Sequence, residues 1–523
     1  MNSVHRQENE LLPGRGETPE VLSPREQQFD RWRRTVGLFL GPAIGLLILL
    51  LPLPALTPSA HRLASILGLV LTFWITEAIP IPATALLGAT LMPVLGVASA
   101  KDALAPFADP IVFLFMGSFI LARAMTVHGL DRRFALNILA IPWVGDRPLR
   151  ILLMFGAVTA FLSMWISNTA ATAMLFPIGL GILRVMEAKL STGPEAGRAS
   201  LGSYGTGLML MAAFASSIGG IGTPVGTPPN LIGIAMLERL AGVRIAFFHW
   251  MLFALPILLL MFGALCLLMG RLHPAGINRL AGIAGFIREE KSRMGKCSRG
   301  EINALIAFLV AVVLWVAPGF IAVVAGTDSA VIKVYNLRLA EGVVALLAAS
   351  LLFFLPVNWR HREFTITWRE AVQIDWGTIL LFGGGLSLGG QMFVTGLASA
   401  LGQGLIDVTG VTSLWGITAA AIALSILITE TTSNTAAANM VIPVIIAVAQ
   451  AVGVSPVPPA LGATLAASYA FMLPVSTPPN AIVYGSGLVP ITRMLRAGIL
   501  FDLVGFFLLL VCLRILCPLL GLM

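Results

Sequence analysis

The chain has 523 residues, 57% of them hydrophobic and 11% charged, where an average soluble protein carries roughly 25% charged residues. Mean hydropathy of +0.91, with apolar runs of about 18 or more residues recurring from end to end, defines an all-α polytopic membrane protein. A soluble enzyme, a nucleic-acid binder and a disordered scaffold are excluded.

In chain order, residues 1–35 form a polar tail with six arginines. No cleavage site follows it, so the first apolar run is expected to be a retained span. A first repeat is expected over 36–270, with scaffold helices in 36–127, a hairpin at 151–183, a broken helix at 203–237 and a helix at 245–270. A basic connector, 271–300, leads to a second repeat over 301–523. It comprises scaffold helices in 301–398, a hairpin at 411–449, a broken helix at 457–489 and a helix at 497–520. The expectation is about eleven transmembrane helices plus two re-entrant hairpins. The cysteines Cys266, Cys297, Cys512 and Cys517 have no metal-ligand spacing and imply no disulfide framework.

The repeat rests on landmarks that recur in order. Ser167-Asn168-Thr169 returns as Ser433-Asn434-Thr435, and Thr227-Pro228-Pro229-Asn230 returns as Thr477-Pro478-Pro479-Asn480. Asp109 precedes Gly117 by eight residues, as Asp375 precedes Gly383, and each glycine lies 50 residues before its Ser-Asn-Thr. With the tail cytoplasmic and both hairpins re-entrant, the inside segments hold 25 of the 33 Lys and Arg. The net charge of +8 is thereby assigned to cytoplasmic loops. The first hairpin then opens inward and the second outward, as an inverted repeat requires, and the C-terminus lies outside.

Non-helical backbone at membrane depth is tolerated only where it is buried in protein or lines a wet cavity. Ser-Asn-Thr turns supply hydroxyls, amides and free backbone groups there, and each helix that follows points unpaired N–H groups into the cavity. The Pro-Pro breaks expose carbonyls on one side and N–H groups on the other. Oxygen donors suit a small hard cation, and N–H and hydroxyl donors suit an anion. A single such motif serves equally well as a packing device. The matched set at repeated spacing points instead to a transporter site. No Lys or Arg falls inside either motif pair, so anion charge must be met by dipoles, neutral donors and bound cations.

At Ser163-Met-Trp-Ile-Ser-Asn-Thr-Ala-Ala-Thr-Ala, Thr429-Glu-Thr-Thr-Ser-Asn-Thr-Ala and Ala470-Phe-Met-Leu-Pro-Val-Ser-Thr-Pro-Pro-Asn-Ala-Ile-Val, the sequence resembles the divalent anion–sodium symporter family, in its bacterial dicarboxylate branch. The resemblance covers nearly the whole chain after the first 35 residues. It implies a homodimer in the bacterial inner membrane, a static scaffold, and a mobile transport domain working as an elevator. The implied activity is sodium-coupled symport of C4-dicarboxylates such as succinate, fumarate and malate. One sodium site matches Ser163, Ser167, Asn168 and Gly226; the other matches Thr429, Thr432, Asn434 and Ser476, with Thr432 and Ser476 contributing carbonyls. The implied substrate contacts are Ser167, Asn168, Thr169, Ser433, Asn434 and Thr435, helped by Thr227, Thr477 and Pro478. No organic cofactor is implied. A sodium-independent exchanger and a sulfate symporter stay open as alternatives.

Glu77, Asp109, Glu341, Asp375 and Glu430 are acids in or beside apolar segments. Such residues are functional suspects, although capping or interfacial pairing also accounts for them. Gly383-Gly384-Gly385 lacks the Lys-Ser/Thr of a phosphate loop and reads as close helix packing. An intramembrane hydrolase using Ser167 or Ser433 lacks a nearby His or Lys base in sequence. Two opposed tips favour an occluded site over a continuous channel.

Overall fold

A computed structural model describes residues 24–190, 201–277, 279, 282–326 and 329–523. The first stretch of chain folds as α1 (Pro24–Leu50), α2 (Pro58–Thr76), α3 (Ile81–Val94), α4 (Ala100–Leu104), α5 (Pro110–His128) and α6 (Leu130–Leu139). There follow α7 (Pro148–Ser163), α8 (Asn168–Leu190), α9 (Leu201–Gly220), α10 (Pro228–Ala241), α11 (Phe247–Leu272) and α12 (Ile283–Arg293). Next come α13 (Arg299–Ala325), α14 (Ala330–Arg338), α15 (Glu341–Phe354), α16 (Trp368–Ala371), α17 (Trp376–Val394) and α18 (Leu397–Thr409). The chain closes with α19 (Leu414–Thr429), α20 (Asn434–Val452), α21 (Val457–Ala466), α22 (Pro478–Tyr484) and α23 (Ile491–Leu519). A two-stranded ribbon, Pro356–Asn358 with Glu363–Phe364, interrupts the helices.

Among the described residues, nine helices are long and apolar enough to cross a membrane, or ten if the bent pair α14–α15 counts as one span. Both α8 and α20 pass that test, whereas α7 and α19 are shorter apolar helices. Helix α1 begins at Pro24, so residues 24–35 of the polar tail are already helical. Residues 1–23 lie outside the described residues.

Helix ends follow local chemistry. Asp109 and Asp375 cap α5 and α17 by accepting the N–H groups of Ile111 and Thr378, each at 3.0 Å. Glu77 closes α2 and pairs with Arg33 at 3.2 Å, and Glu341 accepts the Phe247 N–H at 2.9 Å. Four of the five suspect acids are therefore capping or pairing groups. The glycine landmarks are points of close approach: a Cβ on Gly117 would fall 2.6 Å from the Ala345 backbone, and one on Gly383 would fall 2.5 Å from the Phe107 ring.

Two packing groups result. In one, α5 packs on α15 and α13, while α17 packs on α3, and α3 on α2. In the other, α7 and α8 pack on α9, and α19 and α20 pack on α21. The halves interlock there: α10 packs on α20 and α21, while α22 packs on α8 and α9. Gly498 lets α23 approach the second broken helix, since a Cβ would sit 2.3 Å from the Phe471 carbonyl oxygen. The rings of Phe214, Phe471 and Phe501 fill the space beside it.

Candidate functional site

The first broken region forms where α7 stops at Ser163 and α8 restarts at Asn168. Ser163 Oγ donates to Asn168 Oδ1 at 2.7 Å, and Ser167 Oγ accepts the Ala170 N–H at 3.2 Å. These bonds tie the two helix ends across the turn and satisfy one of the free donors at the start of α8. Opposite them, α9 ends at Gly220 and α10 starts on Pro228 and Pro229, positions where a missing N–H costs little. Asn230 closes that break, its Nδ2 donating to the carbonyls of Gly220 at 2.9 Å and Thr223 at 2.7 Å. Thr223 Oγ1 donates to the Met164 carbonyl, joining the two broken regions.

Gly226 sits among oxygens. A Cβ there would lie 2.5 Å from the Gly220 carbonyl oxygen, 2.9 Å from that of Met164 and 3.0 Å from that of Ser163. A Cβ on Gly220 would lie 2.4 Å from Asn168 Oδ1. Ser163, Asn168 and Gly226 are thus brought together with a ring of backbone carbonyls. Such hard neutral oxygens suit a small alkali or alkaline-earth cation. Ser167 and Thr169 remain exposed at the tip.

The second region repeats this construction. Thr429 Oγ1 lies 2.8 Å from Asn434 Oδ1 and 2.7 Å from the Ala467 carbonyl oxygen, and Ser433 Oγ accepts the Ala436 N–H at 3.2 Å. Asn480 Nδ2 bonds the carbonyls of Ala470 and Leu473, each at 2.9 Å. The spacings, ten and seven residues back from the asparagine, are those of the first region. Ser476 occupies the slot of Gly226, and its Oγ donates to the Leu473 carbonyl at 2.7 Å. Thr477 Oγ1 is buried without a hydrogen-bond partner, and Pro478 is exposed. The Thr432 hydroxyl donates to the Trp74 carbonyl of α2 at 3.1 Å, which leaves its own carbonyl as the group available to a cation.

Glu430 differs from the other acids. Its carboxylate accepts the N–H groups of Met472 at 2.8 Å and Leu473 at 3.3 Å. Asp502 of α23 lies beside it, buried, so that two acids share one pocket. Sequence reading passed over Asp502 because it stands alone in an apolar run. It also passed over the amides of Asn230 and Asn480 as locks, and the carbonyls of Gly220, Met164 and Ala467. The matched Thr-Pro-Pro-Asn motifs carried a signal for the asparagines. A backbone carbonyl leaves none in sequence.

Broken helices whose polar turns are held by hydrogen bonds, twice in one helical bundle, define a secondary transporter embedded in a membrane. Residues 32–523 match the family described as the sodium:sulfate symporter transmembrane region. The chain belongs to that family, and it is a transporter rather than an enzyme. It is 37% identical over 478 residues to the sodium-dependent dicarboxylate transporter SdcS of Staphylococcus saprophyticus, covering 90% of this chain and 89% of that one. The transporter of the same name from Staphylococcus aureus strain USA300 is 35% identical over 475 residues, covering 90% and 88%. The crystal structure of the YdaH transporter from Alcanivorax borkumensis, described as having an unusual topology, shares the fold: TM-score 0.53, 14% identity, 93% of this chain and 97% of that one.

Proposed function

We propose that the chain is a sodium-coupled symporter of C4-dicarboxylates, of which succinate, fumarate and malate are the candidates. The observation that carries this reading is the pair of matched oxygen cradles, one around Gly226 and one around Ser476, each beside a Ser-Asn-Thr tip. Ser163, Ser167, Asn168 and Gly226 hold one sodium ion; Thr429, Thr432, Asn434 and Ser476 hold the other. The substrate carboxylates take donors from Ser167, Asn168 and Thr169 at one tip and from Ser433, Asn434 and Thr435 at the other. Thr227, Thr477 and Pro478 complete the contacts. The buried, unpartnered hydroxyl of Thr477 supports this assignment, because an orphaned polar group is costly until a ligand satisfies it.

The two halves act as inverted repeats with re-entrant hairpins, and the bundle carrying both tips moves as an elevator against the scaffold of a homodimer. The N-terminus is cytoplasmic, the C-terminus is outside, and the membrane is the bacterial inner membrane.

The test is uptake of labelled succinate into proteoliposomes with sodium and potassium gradients exchanged in turn. Uptake driven by sodium alone is expected. Full-rate exchange of internal for external dicarboxylate without sodium on either side overturns the coupling. Competition resolves the substrate class: two like donor sets match two like carboxylates, whereas sulfate concentrates its charge in one small group. A monocarboxylate leaves one set unpaired, at a cost of about 1–3 kcal/mol, or roughly ten- to a hundredfold in affinity. Succinate should compete strongly, sulfate weakly and butyrate hardly at all. Sulfate competing better than succinate overturns the dicarboxylate assignment.

A further inference from the structure

A cavity of about 980 Å³ lies at the opposite end of α7 from the first tip, where the entry to α7 meets the start of α9 and the end of α11. Among the described residues, three arginines line it: Arg147, Arg150 and Arg279. The one carboxylate among the described lining residues, Asp146, is already engaged, with Oδ1 accepting the Ala284 N–H at 3.0 Å. The hydroxyl of Tyr204, also in the wall, is likewise spent on the Pro148 carbonyl at 2.9 Å. The cavity therefore carries an excess of cationic donors over acceptors. His273 adds an unengaged polar atom: it is 5% exposed, and its Nε2 is buried without a hydrogen-bond partner. Burial, and then the nearby Arg493 guanidinium, push this imidazole down to about 4, so at neutral pH it presents a polar ring rather than a charge.

The rim has a different character. Ile141, Trp143 and Leu149 are large apolar side chains left exposed on the same stretch of chain. Arg150 lies over the Trp143 ring at 4.8 Å and donates to the Trp143 carbonyl at 2.8 Å. An exposed tryptophan anchored by an arginine at the end of a span is the arrangement of a membrane–water interface. Val144, Leu149 and Leu152 carry the apolar surface into the cavity wall. A soluble anion uses the arginines and leaves this apolar wall wet. An amphiphile with a phosphate uses both.

We infer that this cavity is a binding site for an anionic phospholipid, with Arg147 and Arg279 on the phosphate and the Leu149–Trp143 rim against the acyl chains. The lipid joins α7, α9 and α11 at one end of the bundle that carries the first tip. Basic pockets at the ends of transmembrane helices bind anionic headgroups through this combination of charge and interfacial depth. The inference needs only that the chain sits in a bilayer, so it is independent of what is transported.

The experiment is lipid retention by the purified full chain, measured by native mass spectrometry with phosphatidylglycerol, cardiolipin and phosphatidylcholine. Wild type should retain the two anionic lipids at least tenfold better than phosphatidylcholine. The R147Q/R279Q variant should bind them roughly thirtyfold more weakly, from the loss of two interfacial charges, while R147K/R279K keeps most of the binding. Both arginines are exposed, so the backbone has little reason to respond. Should the double variant not stay monodisperse, R147Q alone should lose about fivefold. Equal retention by wild type and the Gln variants overturns the site. Displacement of the lipid by glycerol phosphate or inorganic phosphate at lipid-like concentrations overturns the lipid assignment and makes it a soluble-anion site.

Discussion

The first and second broken regions solve one problem with different chemistry. Both lock the turn with a hydroxyl on an asparagine, Ser163 to Asn168 and Thr429 with Asn434. Both close the opposite break with an asparagine amide on two carbonyls. They diverge in how the two breaks are tied to each other. In the first, the Thr223 hydroxyl bonds the Met164 carbonyl, a neutral contact. In the second, the residue after Thr429 is Glu430, whose carboxylate takes two backbone N–H groups and faces Asp502. The shared part is the set of groups to which the proposed function assigns the cation and the carboxylate. The divergent part is scaffolding, and there two solutions of unequal strength suffice.

The largest expected effect tests the shared part. Asn168→Ala and Asn434→Ala should each lower uptake by about a hundredfold or more, roughly 3 kcal/mol, in protein that still inserts and purifies as a single species. Near-normal transport in either would break the equivalence of the two regions and remove that tip from the site.

The next contrast uses a single slot. Gly226→Ala places a Cβ against the Gly220 carbonyl, where 2.5 Å is available, and should abolish sodium-dependent uptake. Ser476→Ala adds no atoms and removes two neutral hydrogen bonds, the one donated to the Leu473 carbonyl and the one accepted from the Asn480 amide, and should cost about 1–2 kcal/mol. If apparent sodium affinity falls alike in both variants, the two cradles are not built as the geometry implies.

Glu430 sharpens the divergence. Glu430→Gln should destabilise the detergent-solubilised protein by about 1–3 kcal/mol, because the amide can accept only one of the two N–H groups of Met472 and Leu473 and turns a donor on the other. Met164→Leu at the matching position should cost under about 1.5 kcal/mol. Thermal unfolding of both variants checks the difference; a larger loss for Met164→Leu reverses the assignment of Glu430 as the tie.

The smallest effect concerns the link to the scaffold. Thr432→Ala removes the hydroxyl bond to the Trp74 carbonyl and leaves the Thr432 backbone carbonyl in place. Sodium affinity should change less than about fivefold, or about 1 kcal/mol, while turnover shifts. A collapse of sodium binding would mean that the hydroxyl, not the carbonyl, is the ligand.

Much of this protein could be read in its sequence because lipid is an undemanding solvent to predict. An apolar run of sufficient length reports its own environment. A Ser-Asn-Thr or Pro-Pro inside such a run reports a break that protein must satisfy. The spans, the breaks at 164–167 and 221–227, and their counterparts after Thr429 and before Pro478 were therefore local facts. So was the capping role open to Asp109 and Asp375, each standing just before an apolar run. What only the tertiary structure decided was which broken ends meet. Nothing in Asn230 says that its amide will reach back to Gly220, nor in Gly226 that carbonyls from Ser163 and Met164 converge on it. Likewise α10 packs on α20, some two hundred residues later, and Asp502 comes to face Glu430. Hydropathy and motif spacing describe a segment against its solvent, whereas these pairings depend on the shape of surfaces contributed by distant segments, and a backbone carbonyl that turns toward a cavity has no letter in the sequence.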